Sequence, residues 1–180
     1  MKNKFLIFIV ATTIFTSAVA YSVSSSAQNG VKVYPVYGLS VGSRYRLIND
    51  AESVAKFNAG ETGEPLMIAN LRGLEGKDIA DRVLISVYVY DLNRELKAGK
   101  TSGRILSFFV QELKEEGDII KYIKYQGLRA AEAFFPGDSQ TPPCKAIYVV
   151  KGRRAYVIQV MTYSAIDAKF NALKDQVKLL

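Results

Sequence analysis

Residues 82–117 read RVLISVYVYDLNRELKAGKTSGRILSFFVQELKEEG, and this stretch decides the fold. Val83, Ile85, Val87 and Val89 alternate with Leu84, Ser86, Tyr88 and Tyr90, the period of a strand with two distinct faces. Thr101 or Ser102 then caps a helix expected to run to about Glu116. Ile105, Leu106, Phe109, Val110 and Leu113 form its apolar stripe, Gln111, Lys114 and Glu115 look outward, and Gly117 ends it. The β-branched face of the strand is expected beneath a covering helix. The face bearing Tyr88 and Tyr90 is expected as a second core layer under the C-terminal helix. Left partly covered, it would offer an aromatic surface to a peptide, glycan or lipid.

Outward from this unit the sequence alternates strand patterns with turn signals. Val31–Tyr37 and Leu39–Ile48 read as a hairpin around Gly38, with Pro35 confining the first strand to an edge. Residues 49–64 read as a loop with a short helix, and Leu66–Leu71 as a further strand. Ile119–Tyr125 and Leu128–Phe135 flank Gly127, and PGDSQTPP at 136–143 is a loop. Lys145–Val150 and Arg154–Tyr163 are joined by Lys151-Gly152-Arg153, a hairpin signal. Ser164 is the expected cap of a last helix, with Asp167 at the capping-box position and Ile166, Phe170, Leu173, Val177 and Leu180 at helical spacing. Short links between successive strands require antiparallel pairing. The expected class is therefore α+β: a mostly antiparallel, twisted sheet of about six to eight strands covered by two main amphipathic helices.

The N-terminus reads differently. Lys2 and Lys4 precede an apolar run, Phe5–Phe15, and Ser17-Ala18-Val19-Ala20 supplies small residues before a cut. This is a signal-peptide pattern, cut after Ala20 or alternatively after Ala27, and the run of about 11 residues is short of the roughly 20 that span a bilayer. Residues 21–30 read as a flexible leader and 31–180 as one domain. Export to a periplasm or extracellular space is the expectation.

Composition excludes several chemistries. Histidine is absent, which removes Ser-His-Asp triads, Cys-His pairs and His-ligated metals. The single cysteine, Cys144, cannot form an internal disulfide. It reads as a small apolar residue at a strand start, with an intermolecular disulfide as the alternative. The net charge of +7 is spread along the chain with no dense stripe of Lys and Arg interleaved with aromatics, so no nucleic-acid partner is expected. Gly99-Lys100-Thr101 mimics the end of a P-loop, but Arg94 stands where that motif needs its first glycine, and no nucleotide is expected.

Two basic groups remain as candidate binding residues. Lys97, Lys100 and Arg104 crowd a helix start whose free N–H groups suit a small anion or an acidic group on a partner. Lys151, Arg153 and Arg154 place three cations at one hairpin tip, fit for an acidic partner or for keeping an edge soluble. Glu112, Glu115, Glu116 and Asp118 surround a helix end and are expected to be solvated, with Lys114 and Lys121 neutralising them. No catalytic residue, cofactor or metal is assigned.

Several stretches carry a family resemblance. VYGLSVGSRYRLI is similar to the opening hairpin of PsbP/DcrB-like domains, a fold shared by the Ran-binding Mog-type proteins. RVLISVYVYDL resembles their central strand before the first long helix, and IIKYIKYQGLRAAEAFF their glycine-opened strand pair. KGRRAYVIQVMTYSAIDAKFNALKDQVKLL resembles their closing strand, capped turn and amphipathic helix. The resemblance spans residues 31–180 and departs where Arg44 and Arg46 flank Tyr45 in place of a Pro and a Trp. It implies an α/β/α sandwich and an exported, non-enzymatic accessory role. The partner it implies is an envelope or membrane-associated protein, met in the thylakoid lumen if the host is photosynthetic. The alternative is a small-ligand module using the tyrosine face or a basic anion site.

Overall fold

The computed structural model describes residues 26–28, 30–70, 82–138 and 141–180. The expected signal peptide, most of the leader, and residues 71–81 and 139–140 lie outside the described residues. Among the described residues no helix is long and apolar enough to cross a membrane.

Two antiparallel sheets and four helices make up the described chain. The strands are β1 (Ser26–Gln28), β2 (Val31–Tyr34), β3 (Leu39–Gly42), β4 (Arg46–Leu47), β5 (Leu66–Asn70), β6 (Val83–Asp91), β7 (Ile119–Tyr125), β8 (Leu128–Phe135), β9 (Cys144–Lys151), β10 (Arg154–Thr162) and β11 (Lys178–Leu179). The helices are α1 (Ala51–Ala59), α2 (Asn93–Lys97), α3 (Ser102–Glu115) and α4 (Ile166–Gln176). The larger sheet runs β4-β5-β6-β10-β9-β8-β7, and the smaller runs β1-β2-β3-β11. Every pair is antiparallel, so the expected α+β class with a mostly antiparallel sheet holds. After β6 the chain crosses one face as α3, reaches the far edge as β7, and returns through β8, β9 and β10 to lie beside β6.

The alternation of apolar residues sorts the two faces of the larger sheet. Val87, Val89, Ile147, Val149, Tyr156 and Ile158 point to one side, where they pack with Phe170 and Leu173 of α4, Phe57 of α1 and Leu39 and Val41 of β3. Ala131, Ala133, Ala146, Tyr148, Val150 and Val157 point to the other, beneath Ile105, Leu106, Phe109, Val110 and Leu113 of α3. Small alanines on β8 and β9 let α3 sit close, and each large side chain it buries contributes about 1.5–3 kcal/mol. The sheet is thus sandwiched between α3 on one side and α4, α1 and the small sheet on the other.

Several details depart from the sequence-based expectations, among them Ser26–Gln28 of the expected leader, which pair with β2 as β1. The first strand stops at Tyr34, because Pro35 starts a one-turn 3-10 helix through Tyr37 that ends on Gly38. The expected second strand divides, with Leu39–Gly42 joining the small sheet and Arg46–Leu47 the large one. Ser164 is not the cap of α4: Ala165 occupies that position with φ of 50° and makes no side-chain bond there. Ser164 instead accepts a hydrogen bond from Lys169 at 3.0 Å. The last helix ends at Gln176, and extended Val177 leads into β11, so Leu179 is buried and Leu180 exposed.

The faces of β6 are covered in the reverse of the expected order. Tyr88 and Tyr90 pack under α3, with the Tyr90 and Phe109 rings 5.9 Å apart, and the valine face lies under α4.

Candidate functional site

A cleft of about 250 Å³ opens on the α4 side of the larger sheet, at its β7 edge. Ile119, Phe134 and Ile166 form its apolar wall, and Lys121, Glu132, Lys145 and Asp167 its polar floor and rim. Strand alternation builds the floor. Lys121 shares the face of Ile123 and Tyr125, Glu132 that of Ala130, and Lys145 that of Ile147 and Val149. The register sets Lys121 opposite Glu132 and Phe134 opposite Lys145. From α4, Ile166 and Asp167 of its first turn line the cleft above these strands.

The four charges form one continuous chain. Lys121 Nζ lies 2.9 Å from Glu132 Oε1, Lys145 Nζ lies 3.3 Å from the same oxygen, and Lys145 reaches Asp167 Oδ1 at 2.5 Å. Lys145 also stands over the Phe170 ring, 5.4 Å from its centroid. Burial pushes the Glu132 carboxyl upward, but hydrogen bonds from Lys121 and Lys145 outweigh it and hold the group below its ordinary value. The bond to Asp167, joined by Glu132, raises the Lys145 amine despite its desolvation. Lys145 in turn holds Asp167 low. A lysine kept protonated is a poor nucleophile, and two carboxylates kept ionised are poor general acids.

Ile119 stands at the lip of this cleft with 65% of its surface exposed. Further along β7, Tyr122 is exposed on the opposite face, with the Arg129 guanidinium 4.7 Å above its ring. Sequence reading passes over this corner, although the alternation of IIKYIKY and the Gly127 turn are signals that pair Lys121 with Glu132.

The residues singled out from sequence fall elsewhere. Of the three cations read as a hairpin tip, Arg153 alone is exposed. Arg154 is turned inward, 2.7 Å from Asp91 and 4.9 Å from the Phe57 ring centre. Lys151 is half-buried and donates to the Leu179 carbonyl at 3.2 Å. Lys97, Lys100 and Arg104 are exposed around the start of α3, where Thr101 accepts a bond from the Arg104 amide at 3.4 Å. Tyr88 and Tyr90 are half-buried and pack against the core beneath α3.

The carboxylates at the end of α3 also differ from expectation. Lys121 does not neutralise them, being held by Glu132 on the other face. Burial first, then the charge of Glu116, raises the Asp118 carboxyl, and burial with Glu116 and Glu115 raises Glu112. Cys144 is buried at the start of β9, where burial and then Asp118 push its thiol up to about 12. Among the described residues no group of three or more His, Cys, Asp or Glu side chains is placed to hold a metal ion.

No protein-family model and no curated protein matches the sequence. Among solved structures, the solution structure of cyanobacterial PsbP (CyanoP) from Synechocystis sp. PCC 6803 resembles the fold, with a TM-score of 0.49 and 10% identity. That alignment covers 93% of this chain and 99% of the other. A crystal structure from Bacteroides thetaiotaomicron VPI-5482 gives a TM-score of 0.48 and 14% identity over 86% of this chain and 49% of the other. The chain therefore spans about half the length of that second protein. Both likenesses concern the course of the chain, and neither carries a residue role across.

Proposed function

We propose that this is an exported, non-enzymatic binding protein that holds an envelope or membrane-associated protein against the β7 side of its sheet. The observation that carries the reading is the exposed Ile119 at the mouth of an apolar-walled cleft whose charges already satisfy one another. An apolar lip beside a pre-paired polar floor suits a contact surface. The protonation states held at Lys145, Glu132 and Asp167 favour binding over acid–base or amine chemistry. Export is supported by Lys2, Lys4, the apolar run and the Ala18-Val19-Ala20 end of the N-terminal pattern.

Native mass spectrometry of the protein purified from its own source tests this reading. A co-purifying protein that is lost on Ile119→Asp is the expected result. A stoichiometric small molecule in place of a protein, retained by that variant, would overturn it.

A further inference from the structure

β7 is an edge strand. It pairs with β8 from Ile119↔Phe134 to Tyr125↔Leu128, and among the described residues nothing pairs with its outer side. Alternate N–H and C=O groups of an antiparallel edge point away from the sheet, so β7 offers an open row of donors and acceptors. The opposite edge, β4, has two residues and cannot template a strand of any length. β7 itself, IIKYIKY, contains no glycine, proline or acid, and its β-branched and aromatic residues are already held extended.

Its charges are uneven along its length. Lys121 and Lys124 lie on β7, and Arg129 faces Lys124 across the ladder. The acid opposite Lys121, Glu132, is buried and shared with Lys145. Glu116 and Asp118 immediately precede the strand, so negative charge gathers at the Ile119 end and positive charge at the Tyr122–Tyr125 end. A second copy of this chain fits this edge poorly. Pairing β7 with β7 would place two lysines on each face of the new ladder, with no acid on either strand.

Resting on the reading that this side of the sheet meets a protein, we infer that the partner supplies an extended segment that adds to β7 as a further strand. Its apolar side chains pack on Ile119 at the mouth of the cleft, and its acidic side chains, on the opposite face, meet Lys124 and Arg129. Main-chain bonds give such an addition its affinity, and the alternating side chains give it direction.

The test uses the full chain and two short synthetic peptides, one of alternating valine and glutamate and one of alternating valine and lysine. Amide hydrogen exchange followed by NMR reads the result. The glutamate peptide is expected to slow exchange at alternate amides of Ile119–Tyr125 and nowhere else. The double variant Lys124→Glu with Arg129→Glu, both at exposed positions, is expected to weaken that peptide about tenfold or more. Equal protection by the lysine peptide, no protection by either, or a dimer already protected at β7 without peptide would each overturn the inference. A native partner lost on Ile119→Asp, in a complex whose β7 amides still exchange freely, would overturn strand addition and leave the surface reading standing.

Discussion

The Tyr156 hydroxyl donates to the Tyr37 carbonyl at 2.9 Å, joining the middle of the sheet to the turn between β2 and β3. Tyr37-Gly38 and Ala155-Tyr156 lie in two of the stretches that carry the family resemblance, and the fold brings them into contact across 119 positions of chain. Gly38 lets the two approach: a Cβ there would sit 2.7 Å from the Tyr156 hydroxyl, and its φ is 66°.

Gly38→Ala is therefore expected to cost more than Gly60→Ala. Gly60 has φ of 72°, but a Cβ there would meet nothing within 4 Å, so only backbone strain of about 1–2 kcal/mol applies. At Gly38 the displaced buried hydroxyl adds roughly 1–3 kcal/mol. Urea midpoints of the two variants, with unchanged slope, measure the difference. Equal midpoints would contradict the contact.

Asp91 and Arg154 form an ion pair at 2.7 Å with side chains 7% and 6% exposed. Asp91→Ala leaves a buried guanidinium without its carboxylate and is expected to cost about 3–5 kcal/mol. Asp91→Leu combined with Arg154→Met is expected to recover most of that loss. A double-mutant cycle in denaturant checks both statements, and a loss below about 1 kcal/mol for Asp91→Ala would place the pair among weak surface bridges.

Stability in acid carries a sign set by Glu132. Its folded-state value lies below the ordinary one, so its contribution is full above the unfolded value and is lost as pH falls through the folded value. Asp167 acts in the same direction. Asp118 and Glu112, held high, act oppositely, and their cost is relieved as they protonate. Glu132→Gln is expected to lower stability at neutral pH and to flatten its fall below the usual glutamate range. Denaturant titrations across that range read the slope, and an acid limb as steep as in the unaltered protein would contradict the assignment.

Cys144 is expected to resist thiol reagents while the chain is folded. Its thiol, raised to about 12, is almost wholly protonated near neutrality, and its Sγ lies beneath the sheet face 4.0 Å from Gln159 Oε1. Reaction with a disulfide reagent should wait for denaturant. A stoichiometric reaction of the native protein, or a disulfide-linked dimer, would contradict this.

Much of this fold is legible one element at a time. β7, β8 and the span of α3 follow from strand alternation, the Gly127 turn and the Thr101 cap. The helix that covers each face of β6 does not, because a period of two separates faces without saying what lies over them. The inward turn of Arg154 has a signal: it shares the parity of buried Tyr156, Ile158 and Val160, as Asp91 shares that of Val87 and Val89. Charge alone suggests a solvated tip, whereas the pairing of Arg154 with Asp91 depends on β10 returning beside β6. The cleft is hidden for a similar reason. Lys121, Glu132, Lys145 and Asp167 come from four elements, and only their docking brings the charges together.

The binding claim is tested most directly by a photo-reactive side chain placed at Ile119, with a second variant carrying it at the exposed Val36. Irradiation within the native envelope, followed by mass spectrometry of the adducts, should give one protein cross-linked at Ile119 and none at Val36. Adducts at Val36 alone, or none at either position, would contradict the account.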